Sequence, residues 1–263
     1  EVISTPVTCT ATNTPVLAYG AKLVWADIDP WTGNADPESV RKKITKKTKA
    51  VIAVHWGGTP CDLESLSSIC AEHGLKLIVD AAHALGATYQ GKPVGQWGDF
   101  VCFSFQAIKH VTTGDGGLLS CKDPKDYERG KRLRWYGIDR PADLKKDIPE
   151  YGYKFHMNDL AATIGLANLK DLPWILKRHC DNAGYYAELY HPRVYDPESA
   201  FWLFTIHSEK RDQLRERLKR AGVISGPVHE RNDRYGMFKA SRCALPGVDA
   251  FYKTMLNIPV GWW

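Results

Sequence analysis

Apolar runs and amphipathic segments alternate along the first half of the chain. Lys22–Ile28 (KLVWADI) reads as a strand, followed by a loop and a helix opened by Asp36-Pro37-Glu38. Proline in the first turn and an acidic start both suit a helix N-terminus. Ala50–His55 (AVIAVH) is an almost unbroken apolar run, as in a strand buried on both faces. Asp62–His73 places Leu63, Leu66, Ile69 and Cys70 at helical spacing, and Gly74 ends it. Leu75–Val79, Val101–Phe105 and Gly117–Cys121 read as further strands. Short connections with intervening helices predict an α/β fold, a mostly parallel sheet covered by helices on both faces.

After Pro124 helical patterns dominate: Pro124–Trp135, Asn158–Leu172 and Trp174–Tyr190. A strand at Phe201–His207 and a charged helix at Ser208–Ala221 follow, and from Gly222 the chain is rich in Gly, Pro and short apolar pieces. The change of texture divides the chain into a large α/β domain, 1–165, and a smaller α+β domain, 166–263. The chain opens mid-pattern at Glu1-Val2-Ile3 and stops at Gly261-Trp262-Trp263, so both domains are expected to be incomplete.

Composition narrows the class. With 263 residues, 44% hydrophobic and 25% charged, the chain can bury a core without disulfides, and disordered or collagen-like classes fall away. No run approaches the roughly 18 apolar residues of a membrane span, and no basic-then-apolar leader opens the chain, which reads as soluble. The net charge of +5 is mild. Its one dense basic stretch, Arg41 to Lys49, lacks interleaved aromatics and reads as a solvated surface, not a nucleic-acid footprint. Seven irregularly spaced cysteines, with Cys102 and Cys121 inside apolar strands, point to reduced, buried thiols in a cytoplasmic protein. Cys61, Cys70 and His73 lack a fourth ligand, so no metal is expected.

Ligands of open parallel sheets sit beyond the carboxyl ends of the strands. His55, Asp80 and Ser104 fall there; His83 lies one helical turn past Asp80, and Lys109 five residues past Ser104. Asp80 has two readings: N-cap of a helix starting at Ala81-Ala82-His83, or partner of a protonated heterocyclic nitrogen. Lys109 has apolar and small flanks, FSFQAI and VTTGDGG, where an amine loses basicity and becomes a nucleophile for a carbonyl. Ser104, Thr112 and Thr113 offer hydroxyls to a phosphate, and Gly114, Gly116 and Gly117 permit close backbone approach. Together these residues match the needs of pyridoxal 5'-phosphate: a carboxylate for the ring nitrogen, a lysine for the aldehyde and a hydroxyl for the phosphate.

The run VDAAHALGATYQGKPVGQWGDFVCFSFQAIKHVTTGDGGLLSCKD resembles the core of the DegT/DnrJ/EryC1/StrS sugar aminotransferases. The resemblance extends through TKAVIAVHWGGTPCDLESLSSICAEHGL, RLRWYGIDR, YKFHMNDLAATIGLANLKDL, HERNDRY and IPVGWW, nearly the whole chain. It implies a type I, aspartate aminotransferase-like fold and a homodimer with two sites built across the interface. It further implies transfer of an amino group from L-glutamate to a keto group of a nucleotide-linked sugar. On this resemblance Lys109 is the Schiff-base lysine, Asp80 pairs with the pyridine nitrogen, His83 contacts the ring and Ser104 binds the phosphate. The segment Tyr153–Met157 resembles the stretch reaching the neighbouring subunit's site, with Lys154 and His156 where relatives often carry asparagine. His229, Arg231 and Asn232 correspond to the region facing the sugar, and HERNDRY with PVGWW resembles the 4-amino, perosamine-type members. Two alternatives stand beside this reading. Sugar dehydratases of the family replace the lysine by histidine, whereas position 109 is Lys and His110 is one place off; the other alternative is an inactive, truncated or regulatory member.

Overall fold

Val51 and Ala53 face one side of a central sheet and Ile52 the other, each within a different apolar cluster. Leu77 and Val79 alternate with Ile78 in the same way, so these strands are buried on both faces as their unbroken apolar runs require. The computed structural model describes residues 1–139 and 147–261; Arg140 of RLRWYGIDR and Trp262-Trp263 of PVGWW lie outside the described residues.

The elements run β1 (Val2–Ser4), α1 (Thr10–Ala18), β2 (Leu23–Trp25), α2 (Pro37–Lys43), β3 (Ala50–Val54), α3 (Leu63–Glu72) and β4 (Lys76–Asp80). A small hairpin, β5 (Thr88–Tyr89) and β6 (Lys92–Pro93), precedes β7 (Phe100–Ser104) and β8 (Gly117–Cys121). The sheet order is β2-β1-β3-β4-β7-β8, parallel throughout except for the antiparallel β7–β8 pair. Then come α4 (Pro124–Leu133), α5 (Asp159–Leu169), α6 (Leu172–Tyr190), β9 (Phe204–His207), α7 (Arg211–Arg220), α8 (Pro246–Thr254) and β10 (Met255–Ile258). Strands β9 and β10 pair antiparallel in a separate two-stranded sheet.

The start signals in the sequence act as expected. Asp36 accepts the Glu38 N–H at 3.0 Å and Asp62 accepts the Ser65 N–H at 3.0 Å, capping α2 and α3. One cluster packs α3 (Leu63, Leu66, Ile69) under the sheet. A second packs Trp25, Ile52 and Trp56 against Phe238, Leu245, Val248 and Phe251, bringing α8 onto the opposite face. Asp27 caps α8 from across the fold, accepting the N–H groups of Gly247 (2.8 Å) and Val248 (3.0 Å).

Three readings are corrected. No helix follows Asp80; its neighbours form turns, with the Ala84 N–H donating to Ala81 at 2.9 Å. The strand at Phe201–His207 shortens to Phe204–His207, because Ala200 and Leu203 donate instead to the backbone of Gly58 (3.1 Å) and Gly57 (3.3 Å). Cys102 is exposed and Cys121 half-buried, since one face of the β7–β8 edge is left uncovered within this chain. All seven cysteines are free. Among the described residues no helix is long and apolar enough to cross a membrane, and no cluster of three His, Cys, Asp or Glu could hold a metal.

Candidate active site

Strands β3, β4 and β7 are neighbours, so their carboxyl ends deliver His55, Asp80 and Ser104 to one edge of the sheet. Asp80 is held by two donors. Its Oδ1 accepts the Ala82 N–H at 3.0 Å and its Oδ2 accepts the Thr12 hydroxyl at 2.5 Å. Ser104 accepts the Gln106 N–H at 3.3 Å, shaping the turn toward Lys109. The Thr112 and Thr113 hydroxyls donate to the carbonyls of Phe105 (3.2 Å) and Asp115 (2.7 Å). They hold the loop's shape, so the hydroxyl hydrogens expected for a phosphate are already committed.

Lys109 and His83 meet on Trp202. The Lys109 ammonium lies 3.8 Å from the indole centroid, and the His83 ring stacks on that indole at 3.8 Å with planes 19° apart. Trp202 is itself tethered by its indole N–H to the Ile108 carbonyl at 2.8 Å. Burial pushes the Lys109 amine down to about 8, against the opposing pull of the nearby Asp80 and Cys9 charges. The indole face also favours the charged form, so desolvation is the dominant effect. Burial, and then the Lys109 charge, hold His83 well below its usual value, and the same two causes lower His229 to about 4. Both imidazoles are therefore neutral near pH 7. They lie parallel, 5.9 Å apart, and Trp56 abuts each edge-on.

His110, adjacent to Lys109, is buried against His179, with ring centroids 4.6 Å apart. His110 Nε2 lies 3.0 Å from the Ala200 carbonyl and His179 Nδ1 2.7 Å from that of Phe201. The pair anchors the segment that presents Trp202.

The other sequence-selected residues occupy different settings. Arg231 spends its guanidinium fork on Asp233, at 2.8 and 2.7 Å, and on Asp249. Burial works against its charge, but these hydrogen bonds outweigh burial and raise its pKa. Asn232, fully buried, donates to the Thr8 carbonyl at 2.8 Å and accepts from Asn13 at 3.0 Å. Lys154 and His156 belong to a second group on the α4–α5 connection, 3.1 Å apart, with the ammonium 4.6 Å from the Trp135 ring. Thus Asp80, His83, Ser104, Lys109 and His229 gather at the strand ends. Thr12, Trp56 and Trp202 complete that group and were not singled out in the sequence; of these only Trp56, directly after the strand-end His55, carried a local signal.

The group suits pyridoxal phosphate. His83 Nδ1 and His229 Nε2 are buried without hydrogen-bond partners, so both remain available to a polar group bound beside them. Each Asp80 oxygen has one donor and keeps a free lone pair, and the Lys109 amine is desolvated. This set provides an acceptor for a ring nitrogen, a nucleophile for an aldehyde and polar partners for ring substituents.

Known proteins resemble this chain in sequence and in fold. MJ1066, an uncharacterized protein of Methanocaldococcus jannaschii, is 41% identical over 196 residues, covering 72% of this chain and 51% of that protein. The spore coat polysaccharide biosynthesis protein SpsC of Bacillus subtilis is 31% identical, covering 99% of this chain and 74% of SpsC. The Helicobacter pylori UDP-4-amino-4,6-dideoxy-N-acetyl-β-L-altrosamine transaminase is 27% identical, covering 98% and 73%. The chain therefore spans about half the length of the first of these relatives and about three quarters of the other two. Among solved structures, the sugar aminotransferase CalS13 of Micromonospora echinospora superposes with a TM-score of 0.95 at 37% identity, covering 100% of this chain and 76% of that one. Spr1654 of Streptococcus pneumoniae, solved in a PLP form, superposes at 0.90 with 27% identity, covering 99% and 76%. The family thus matched is PLP-dependent, and the α/β architecture here is its fold. Matched over residues 1–262, the chain belongs to the DegT/DnrJ/EryC1/StrS aminotransferase family.

Proposed function

We propose that the chain transfers an amino group from L-glutamate to a keto group of a nucleotide-linked deoxy sugar, a 4-keto sugar of the perosamine type. The observation that carries this reading is the Lys109 amine, lowered to about 8 and grouped with Asp80, His83 and Ser104 at adjacent strand ends. Relatives named for polysaccharide biosynthesis and for a UDP-linked amino sugar support the substrate class.

Bound pyridoxal phosphate supplies an electron sink for breaking the carbon–hydrogen bond beside the transferred nitrogen. The residues of this chain supply the rest. Asp80 holds a proton at the heterocycle nitrogen, with its carboxylate oriented by Thr12 and Ala82. The weakly basic Lys109 amine takes and returns the proton that moves between the two carbons. Ser104 offers its hydroxyl to the phosphate, and the His83 and His229 imidazoles meet ring and sugar as neutral hydrogen-bonding groups. Arg231 and Asn232 serve the sugar side by holding the loop that presents His229. Buried Trp56 excludes water from the group.

In this reading 1–165 is the cofactor domain and 166–263 the smaller domain, and the protein works as a cytoplasmic homodimer. Helix α5 supports the dimer. It is apolar on most of its surface yet buries none of its residues, with Leu160 80% and Leu166 65% exposed, and such a helix normally lies inside a larger assembly. Lys154 and His156, just before α5, would then reach the partner's site.

The test is an absorbance spectrum with added pyridoxal phosphate, followed by borohydride reduction and peptide mapping, then assay of glutamate with nucleotide-linked 4-keto and 3-keto sugars. A visible band fixed onto Lys109, with 2-oxoglutarate released beyond one equivalent per site only when a 4-keto sugar is present, is the expected result. A folded protein that forms no band overturns the cofactor reading, and preference for a 3-keto sugar overturns the perosamine assignment.

A further inference from the structure

Helix α1 begins Thr10-Ala11-Thr12-Asn13-Thr14-Pro15, in which every residue but Ala11 is a weak helix former and a proline lies inside. Such a local misfit commonly marks residues kept for another purpose. Hydrogen bonds tie this run to Asp80. The Asp80 carboxylate only accepts, so the Thr12 hydrogen goes to it at 2.5 Å. The Thr8 hydroxyl, 2.7 Å from that of Thr12, is therefore the donor in their bond. The chain of donation runs Thr8 to Thr12 to Asp80. Its far end is buried and hydrogen-bonded. The Thr8 carbonyl accepts from Asn232 at 2.8 Å, Asn232 accepts from Asn13 at 3.0 Å, and Asn13 also donates to Thr5 at 3.1 Å. Thr5, Thr8, Asn13 and Asn232 are all buried.

We propose that Thr12 is the positioning residue for Asp80, held by a relay through Thr8 whose anchor is the buried Asn13–Asn232 pair. With Ala82 on one oxygen and Thr12 on the other, the carboxylate plane is fixed and one lone pair of each oxygen stays open for a single further donor. The relay also joins the two walls of the site, because Asn232 belongs to the loop that carries His229. The inference rests on the cofactor reading above, in which that further donor is the ring nitrogen of pyridoxal phosphate.

The test compares binding of pyridoxal phosphate with binding of its 1-deaza analogue, in which carbon replaces the ring nitrogen. Thr12→Val is expected to weaken pyridoxal phosphate about tenfold or more, the typical effect of losing a hydrogen bond to a charged group, and Thr12→Ser to restore it within about threefold. The 1-deaza analogue, having nothing for Asp80 to hold, is expected to bind wild type and Thr12→Val within about threefold of each other. Thr12→Ala replaces Thr12→Val if the latter does not fold. An equal loss for both compounds, or no loss for either, overturns the relay while leaving the cofactor reading intact. If wild type binds neither compound, the cofactor reading fails and the relay with it.

Discussion

Lys109 combines an apolar setting with an indole face. Its amine, lowered to about 8 by burial, turns neutral across pH 7–9. Reductive labelling of Lys109 by pyridoxal phosphate and borohydride should rise over that interval and level off above it, whereas an ordinary lysine keeps gaining reactivity toward 10.5. Mapping labelled peptides against pH measures this directly. The linkage has a definite sign. The unfolded lysine is the stronger base, so this group opposes folding below about pH 8, and the opposition fades as pH rises toward 10.5. Replacing Lys109 by histidine should abolish both the visible band and the label that borohydride fixes onto position 109, and lower transamination at least about a thousandfold, the scale seen when a nucleophile is removed. Activity that survived would remove Lys109 from its role. Asp80 and Ser104 were legible as polar residues at the ends of apolar strands, and His83 and Lys109 by their short spacing from them, Lys109 also by its apolar and small flanks. Trp202 and Thr12 were not legible. Trp202 is tethered 94 residues from Ile108 and Thr12 reaches Asp80 across 68 residues, and an aromatic or a threonine in isolation has ordinary packing roles.

At the level of elements, periodicity and caps located α2 and α3 because each helix carries its own cap residue one position ahead. Helix α8 carries no side-chain cap of its own; Asp27 supplies it. Asp27→Ala should therefore destabilise the protein by about 1–2 kcal/mol, the range for a lost helix cap, read as a lower urea midpoint at unchanged slope. The Gly57-Gly58 turn after β3 illustrates the same dependence on distant chain. Gly58 adopts φ +101°, and a Cβ there would fall 2.7 Å from the His83 carbonyl and 2.9 Å from the Phe201 nitrogen. Gly58→Ala should cost about 2 kcal/mol or more of stability and displace the segment bearing Trp202. A thermal melt and the indole fluorescence would register both, and an unchanged melt would contradict the packing described.

For the whole molecule, the exposed apolar faces of α5 make self-association the quantity to measure. Light scattering at micromolar concentration should give twice the chain mass, and Leu160→Lys with Leu166→Lys should shift the protein to monomer without unfolding it. A monomeric wild type would refute the dimer.

Taken alone, the amino-acid order determined the kind of sheet, where α2 and α3 start and which polar residues stand at the strand ends. These depend on neighbours within a few residues, through side-chain alternation, caps and strand length. Only the tertiary structure decided which distant groups complete the site. Folding places Trp202 against Lys109 and His83, secures it with His110 and His179, and brings Thr12 to Asp80. It also ties Arg231 to Asp233 and Asp249 and seats Asn232 between Thr8 and Asn13. Such contacts join segments far apart in the chain. Their geometry follows from how the sheet, its flanking helices and the returning C-terminal elements pack, and that packing leaves no periodic trace in sequence.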